Sequence, residues 1–245
     1  MLNAARSHSP ARVAMLQWTA GLGAVTAEAL AVREDLTVAS ARARLLAAER
    51  AQLLLRCRPL AGEPALYALT SAGMRATGLR GLEPCRVSAA NAAHAIACAG
   101  AAAVLERGYP DHRVLGEREL RRDERDRGAR LASACLGRGA NGASLLHRPD
   151  LVLWPRRSAA GLPVAVEVEL TVKAPRRLLG ICRAWARCRC VAGVVYLAAP
   201  AVEHPLRRAV EQVRAGSRIV VVPLDSLGAR ELDGRSSGRT VAVDA

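Results

Sequence analysis

Phenylalanine is absent from this 245-residue chain, lysine occurs once, and isoleucine, asparagine, tyrosine and methionine occur three times each. All these depleted residues have AT-rich codons, so the gene is strongly GC-biased and arginine stands wherever a cation is tolerated; 35 of the 36 basic residues are arginine. With six tryptophans and tyrosines in total, the core must be aliphatic. The seven cysteines lack a regular framework and contain no Cys-x2-Cys pair, which argues against a disulfide scaffold or a structural zinc module. Arg6, Arg12 and Gln17 break up the first thirty residues, and no apolar core precedes a small-residue cleavage site. This predicts a cytoplasmic protein with reduced thiols. The most apolar run, Ala89 to Leu105, is mostly alanine and includes Asn91 and His94. It falls short of the roughly 20 strongly apolar residues of a span, so no membrane partner is expected.

What is present is a large cationic surplus. The net charge is +14 and 51% of residues are hydrophobic, enough to bury a core while attracting a polyanion through counterion release. The length suits two modest domains. Residues 1–80 form the first, 81–87 a linker containing Gly81 and Pro84, and 88–245 the second.

In the first part, helices are predicted over about 10–20, 26–34 and from Thr37 to Arg50, the last with Thr37 as N-cap. Val38, Ala41, Leu45 and Ala48 recur at helical spacing as the buried stripe of this third helix. Two β-prone runs follow, 53–60 and 65–70, around the turn Ala61-Gly62-Glu63-Pro64, and then a helical turn. This order resembles the winged helix superfamily, a winged helix-turn-helix with residues 37–50 as recognition helix. The resemblance implies duplex DNA as partner. Ser40, Arg42 and Arg44 are small or cationic enough for a groove about 12 Å wide, with Arg56 and Arg58 on the wing. A compact helical scaffold for protein contact or for a homodimer is the other reading.

In the second part, a helix over 88–106 precedes a strand over 113–120 and a mixed-charge segment, 121–130, that reads as a solvated loop or helix. Strands over 149–154 and 164–172 flank a loop over 155–163. A helix (175–189), a strand (191–197), a helix (202–213) and a strand (218–224) complete an α+β or α/β unit, a mixed central sheet flanked by helices. The strand over 164–172 alternates strictly. Val164, Val166, Val168, Leu170 and Val172 share one face, and Ala165, Glu167, Glu169, Thr171 and Lys173 the other. If Trp154 pairs with Val164, Asp150 falls opposite Val168, and a slip of one or two residues in register still leaves it near both glutamates. Three carboxylates so close repel one another, and a hard cation such as Mg2+ or Mn2+ relieves the repulsion. Cys182 falls on the stripe with Leu178 and Trp185 and reads as core. His147 either contacts a phosphate or finishes a loop, and His94 reads as a satisfied core or boundary residue.

His147-Arg148-Pro149-Asp150 followed by Glu167-Val168-Glu169-Leu170-Thr171-Val172-Lys173 resembles the core of the PD-(D/E)XK nucleases. Combined with the winged helix, it is similar to the plasmid replication-relaxation family of GC-rich bacteria. The resemblance implies a DNA-binding protein of plasmid or mobile-element replication with a metal-dependent endonuclease-like domain. It assigns Asp150 and Glu167 to the metal, Glu169 to the metal or to orienting water, and Lys173 to charge stabilisation, with Arg176, Arg177 and Arg183 holding phosphates. Glu169 occupies the usual lysine position, and Lys173 lies two pleats, about 13 Å, further along a regular strand. That departure fits an alternative, a catalytically inactive nuclease-fold protein of replication control. Lysine 173 is the chain's single lysine; placed at random among 36 basic positions, it would land there about once in 36.

Overall fold

Ser9 opens the first helix, accepting from the Arg12 N–H, with Pro10 at the first helical position, where its missing N–H costs nothing. A computed structural model describes residues 9–140, 142–157 and 161–227. The outer ends of the expected domains, 1–8 and 228–245, and residues 158–160 of the expected loop lie outside them. Helix α1 (Pro10–Leu22) runs past Gly21 and ends at Gly23, whose φ of 93° favours glycine. Helix α2 (Ala27–Glu34) is capped by Thr26 and α3 (Val38–Arg50) by Thr37, each hydroxyl accepting an N–H three residues on, at 3.1 Å. Ala41, Leu45 and Ala48 are buried on α3, whereas Val38, in its first turn, is 38% exposed and leaves the expected stripe.

Strands β2 (Leu54–Cys57) and β3 (Leu66–Leu69) pair antiparallel, and a two-residue strand, β1 (Ala24–Val25), adds to the far edge of β3. Helix α4 (Ser71–Thr77) closes this unit. The segment 78–88 has no regular structure but is held in place: Arg118 donates to the Glu83 carbonyl and Arg125 to that of Gly81.

Helix α5 (Ala89–Gly108) has 20 residues, long and apolar enough by length and composition to cross a membrane, and thus longer than the run expected from sequence. Here it packs on α2, with Ala99, Ala101, Ala102, Ala103 and Leu105 buried. Strand β4 (His112–Gly116) stops where α6 (Glu117–Arg127) begins, four residues before the expected strand end at 120. Glu117 and Glu119 in the first turn favour helix there, as acids facing the positive end of the helix dipole. A hairpin unforeseen in the sequence, β5 (Ala134–Arg138) with β6 (Ser144–His147), forms its own sheet.

The main sheet contains β7 (Leu151–Pro155), β8 (Val164–Glu169), β9 (Gly193–Ala198) and β10 (Ile219–Pro223), in the order β10-β9-β8-β7-β4. Strand β7 is antiparallel to both neighbours, while β8, β9 and β10 are parallel. Helices α7 (Pro175–Ala186) and α8 (Pro200–Gln212) provide the crossovers that parallel strands need. The described residues thus form a mixed α+β structure with eight helices and a mixed central sheet flanked by helices.

Each face of the sheet has its own core. Leu151, Leu153, Val166 and Val168 pack towards α5 in a cluster that continues without a break through Leu16, Leu30 and Leu45 of the N-terminal helices. On the opposite face, Val152, Ala165 and Val194 meet Leu178, Ile181, Cys182 and Trp185 of α7, a stripe at intervals of three, one and three. Trp185 has no exposed surface, and burying a side chain of that size contributes about 3 kcal/mol.

Candidate functional site

The hairpin of β7 and β8 is slipped by one residue from the expected register. Leu153, and not Trp154, pairs with Val164, and Leu151 pairs with Val166, so Asp150 comes level with Glu167. Asp150 lies just outside β7, where its backbone is free to turn. Its Oδ2 accepts from the Val168 N–H at 2.7 Å, while its backbone carbonyl accepts from Glu117 N–H at 2.9 Å. These bonds fix the carboxylate across the open end of the hairpin, and Oδ1 reaches towards α5, 3.3 Å from His94 Nε2.

Glu167 turns the other way, under α7, and is 5% exposed. Its Oε1 accepts from Trp185 Nε1 at 3.0 Å and lies 2.7 Å from His147 Nε2, an ion-pair distance without hydrogen-bond alignment. Tyr196, its partner across the parallel ladder, shares this buried environment. Burial raises the Glu167 pKa; His147 opposes the rise, Asp150 adds repulsion and Lys173 offsets part of it. The role of His147 is therefore neither of those expected: it faces a buried carboxylate, with its ring edge-on to Trp185.

Strand β8 ends at Glu169, three residues before the expected end at Val172. That early end removes the two-pleat gap, because the chain bends after Glu169 and Lys173 Nζ contacts the Glu169 carboxylate directly. Burial lowers the Lys173 pKa, while the charges of Glu167 and Asp150 raise it and Arg177 lowers it. Asp150, Glu167, Glu169 and Lys173 thus gather at one end of the hairpin. The geometry splits them: Asp150 is engaged from α5, Glu167 from α7.

A cavity of about 550 Å3 opens beside Asp150, with His94 and Cys98 on one wall and Arg118, Arg121, Arg122 and Arg125 on the other. These arginines, spaced by three and four, all lie on α6: Arg118 falls in the expected strand over 113–120, and the other three in the 121–130 segment, expected to be solvated with phosphate contact as the lesser reading. Their stripe on one helix face was the available signal. Hydrogen bonding to Asp150 raises the His94 pKa, and burial pushes the Cys98 thiol well above the ordinary range. Among the described residues, His94, Cys98 and Asp150 each bring one ligand atom within 4.8 Å of the others, a group able to hold a metal ion.

At the N-terminal unit, Arg42, Arg56 and Arg58 line a cavity of about 280 Å3 between α3 and the β2–β3 turn, together with Glu28 and Glu63. Three of the arginines expected to bind nucleic acid have acidic partners: Arg42 with Glu28 at 3.6 Å, Arg44 with Glu34 at 2.5 Å, Arg56 with Glu49 at 3.7 Å. Exposed pairs of this kind are worth little and exchange readily for another anion. Ser40 is exposed in the first turn of α3, and Arg176, Arg177 and Arg183 are exposed on α7. No protein-family model, curated protein or solved structure matches the chain.

Proposed function

We propose that the protein binds duplex DNA through a winged helix formed by α1–α4 and the small sheet, and hydrolyses phosphodiesters with Mg2+ or Mn2+ in a PD-(D/E)XK-like domain. The resemblance to the plasmid replication-relaxation family places this activity in plasmid or mobile-element replication. The observation carrying the proposal is that Lys173 contacts Glu169 and feels the charges of Glu167 and Asp150, while Asp150 alone of the four opens onto a cavity walled by arginines. All three carboxylates are oxygen donors of the type a hard cation takes, but Asp150 and Glu167 are held from opposite sides of the sheet, and among the described residues only His94, Cys98 and Asp150 bring three ligand atoms within 4.8 Å, so a hard cation here requires the acids to move together. Asp150 and Glu167 would hold the ion, which supplies Lewis acidity at the phosphoryl group and lowers the pKa of bound water. Glu169 orients the attacking water and can take its proton. Lys173, close to the acids and partly buried, offsets charge developing on the phosphoryl oxygens. Arg118, Arg121 and Arg125 hold flanking phosphates as the strand enters the cavity.

One observation favours the rival reading, an inactive nuclease fold used for binding alone. Glu167 is already faced by His147 and Trp185, and Glu169 by Lys173, so the acids have partners without a metal. Incubation with supercoiled plasmid and Mg2+ or Mn2+ separates the two. The nuclease reading expects nicked or linear DNA from the wild type, with Glu167→Ala and Lys173→Ala losing on the order of 100-fold in rate while still shifting DNA in a gel. Intact plasmid under conditions of full binding would leave only the binding role.

A further inference from the structure

We infer that His94, Cys98 and Asp150 form a metal site that selects a thiophilic divalent cation of the Zn2+ class, sharing Asp150 with the proposed hard-cation pair Asp150–Glu167 and competing for it. It goes beyond hydrolysis and would stand if the protein cut no DNA. His94 and Cys98 are four residues apart on α5 and so present their side chains from one face of the helix. Asp150 meets them from the mouth of the β7–β8 hairpin, held by the Val168 N–H through Oδ2, which leaves Oδ1 facing the imidazole.

The distances are those of a coordination polyhedron. Tetrahedral zinc with bonds of about 2.0–2.3 Å requires ligand atoms about 3.3–3.6 Å apart along each edge. His94 Nε2 lies 3.3 Å from Asp150 Oδ1 and 3.7 Å from Cys98 Sγ; the sulfur is as near to Nδ1, at 3.6 Å, and has to rotate about Cα–Cβ towards Nε2 to meet an ion held there. The His94–Asp150 edge is therefore already near the required length, and with all three ligand atoms within 4.8 Å a rotation of the Cys98 side chain completes the set. Three protein ligands with the fourth position towards the arginine-lined cavity is the pattern of a site that keeps one exchangeable ligand. A nitrogen–sulfur–oxygen set disfavours Mg2+, which demands oxygen donors, and selects zinc or cobalt.

Cobalt substitution and zinc titration of the full chain test this. Co2+ should give a sulfur-to-metal charge-transfer band and tetrahedral d–d bands at one equivalent. Zn2+ should displace it and protect Cys98 from alkylation, read by peptide mass spectrometry. Cys98→Ser and His94→Asn should each weaken zinc binding about 10- to 100-fold, with Cys188→Ser unchanged. Absence of a one-to-one zinc complex would overturn the proposal. So would affinity that survives Cys98→Ser, or that falls in Glu167→Gln but not in Cys98→Ser, since the ion would then sit elsewhere. If Cys98→Ser does not fold, judged by circular dichroism, the wild-type cobalt spectrum and Cys98 protection decide alone: no sulfur band and no protection refute the site.

Discussion

His147→Ala probes the electrostatics of the buried acid. Glu167 is 5% exposed and has two close partners, Trp185 Nε1 at 3.0 Å and His147 Nε2 at 2.7 Å. Removing one partner of a buried pair costs about 3–5 kcal/mol when nothing else compensates. Trp185 remains, and Lys173 lies close enough to act on Glu167, so the expected charge-related cost is smaller, about 2–3 kcal/mol. The lost imidazole volume adds a packing cost that does not depend on pH. The sign of the pH dependence follows from the raised Glu167 pKa. A carboxyl group whose folded pKa lies above its unfolded value costs nothing below the unfolded pKa, and the cost grows as pH rises from there through the folded pKa. Loss of His147 raises that pKa further and steepens the fall. Urea denaturation in chelator should therefore show a larger cost of His147→Ala at about pH 7.5 than at about pH 5, and Glu167→Gln should rescue part of it at the higher pH. An equal cost at both pH values, or a double variant less stable than His147→Ala alone, would refute the pairing.

Two other perturbations have sharp outcomes. A Cβ on Gly116 would come 2.3 Å from the Gly21 carbonyl oxygen, so Gly116→Ala should cost about 1–3 kcal/mol and lower the melting temperature by several degrees. Gly180→Ala, with open space around its Cβ in α7, should hold or raise it, and equal melting of the two variants would contradict the close approach of α1 to β4. Cys188 and Cys190 bring their sulfurs to 3.1 Å and share a hydrogen bond; that bond first, with positive charge from Arg130 and Arg218, lowers the Cys188 pKa to about 6. Ultraviolet thiolate absorbance should then show one thiol ionising near pH 6, with its contribution to stability lost as pH falls through that value. Cys190→Ala should return the transition towards the ordinary range, and an unmoved transition would rule the contact out.

Much of the fold could be read from the sequence because the responsible signals are local. Thr26, Thr37 and Thr70 cap helices through bonds three residues away, and the Leu178-Ile181-Cys182-Trp185 stripe needs only helical spacing. The alternation of β8 was legible because its valines face a core and its glutamates the α7 layer. The register was not. The β7–β8 connection runs from 156 to 163, longer than the two-residue turns that fix a hairpin's pairing, so its length does not set the register. The β5–β6 hairpin escaped notice because Gly137 and Gly139 break its pattern, and with it the position of His147 twenty residues before Glu167. His94 and Cys98 were visible as an i, i+4 pair, but in an alanine-rich helix their partner comes from a strand more than fifty residues away. Only the packed structure brings Asp150 to them.

The unbroken hydrophobic cluster running from Leu16, Leu30 and Leu45 through α5 to Val166 and Val168 restricts how such a protein can evolve or be rebuilt. Its two halves are not interchangeable modules on a string, because grafting residues 1–80 onto another partner would strip the sheet of its cover and expose α5. Independent change is confined to exposed positions such as Ser40 or Arg58, while the interior around α5 changes only in concert.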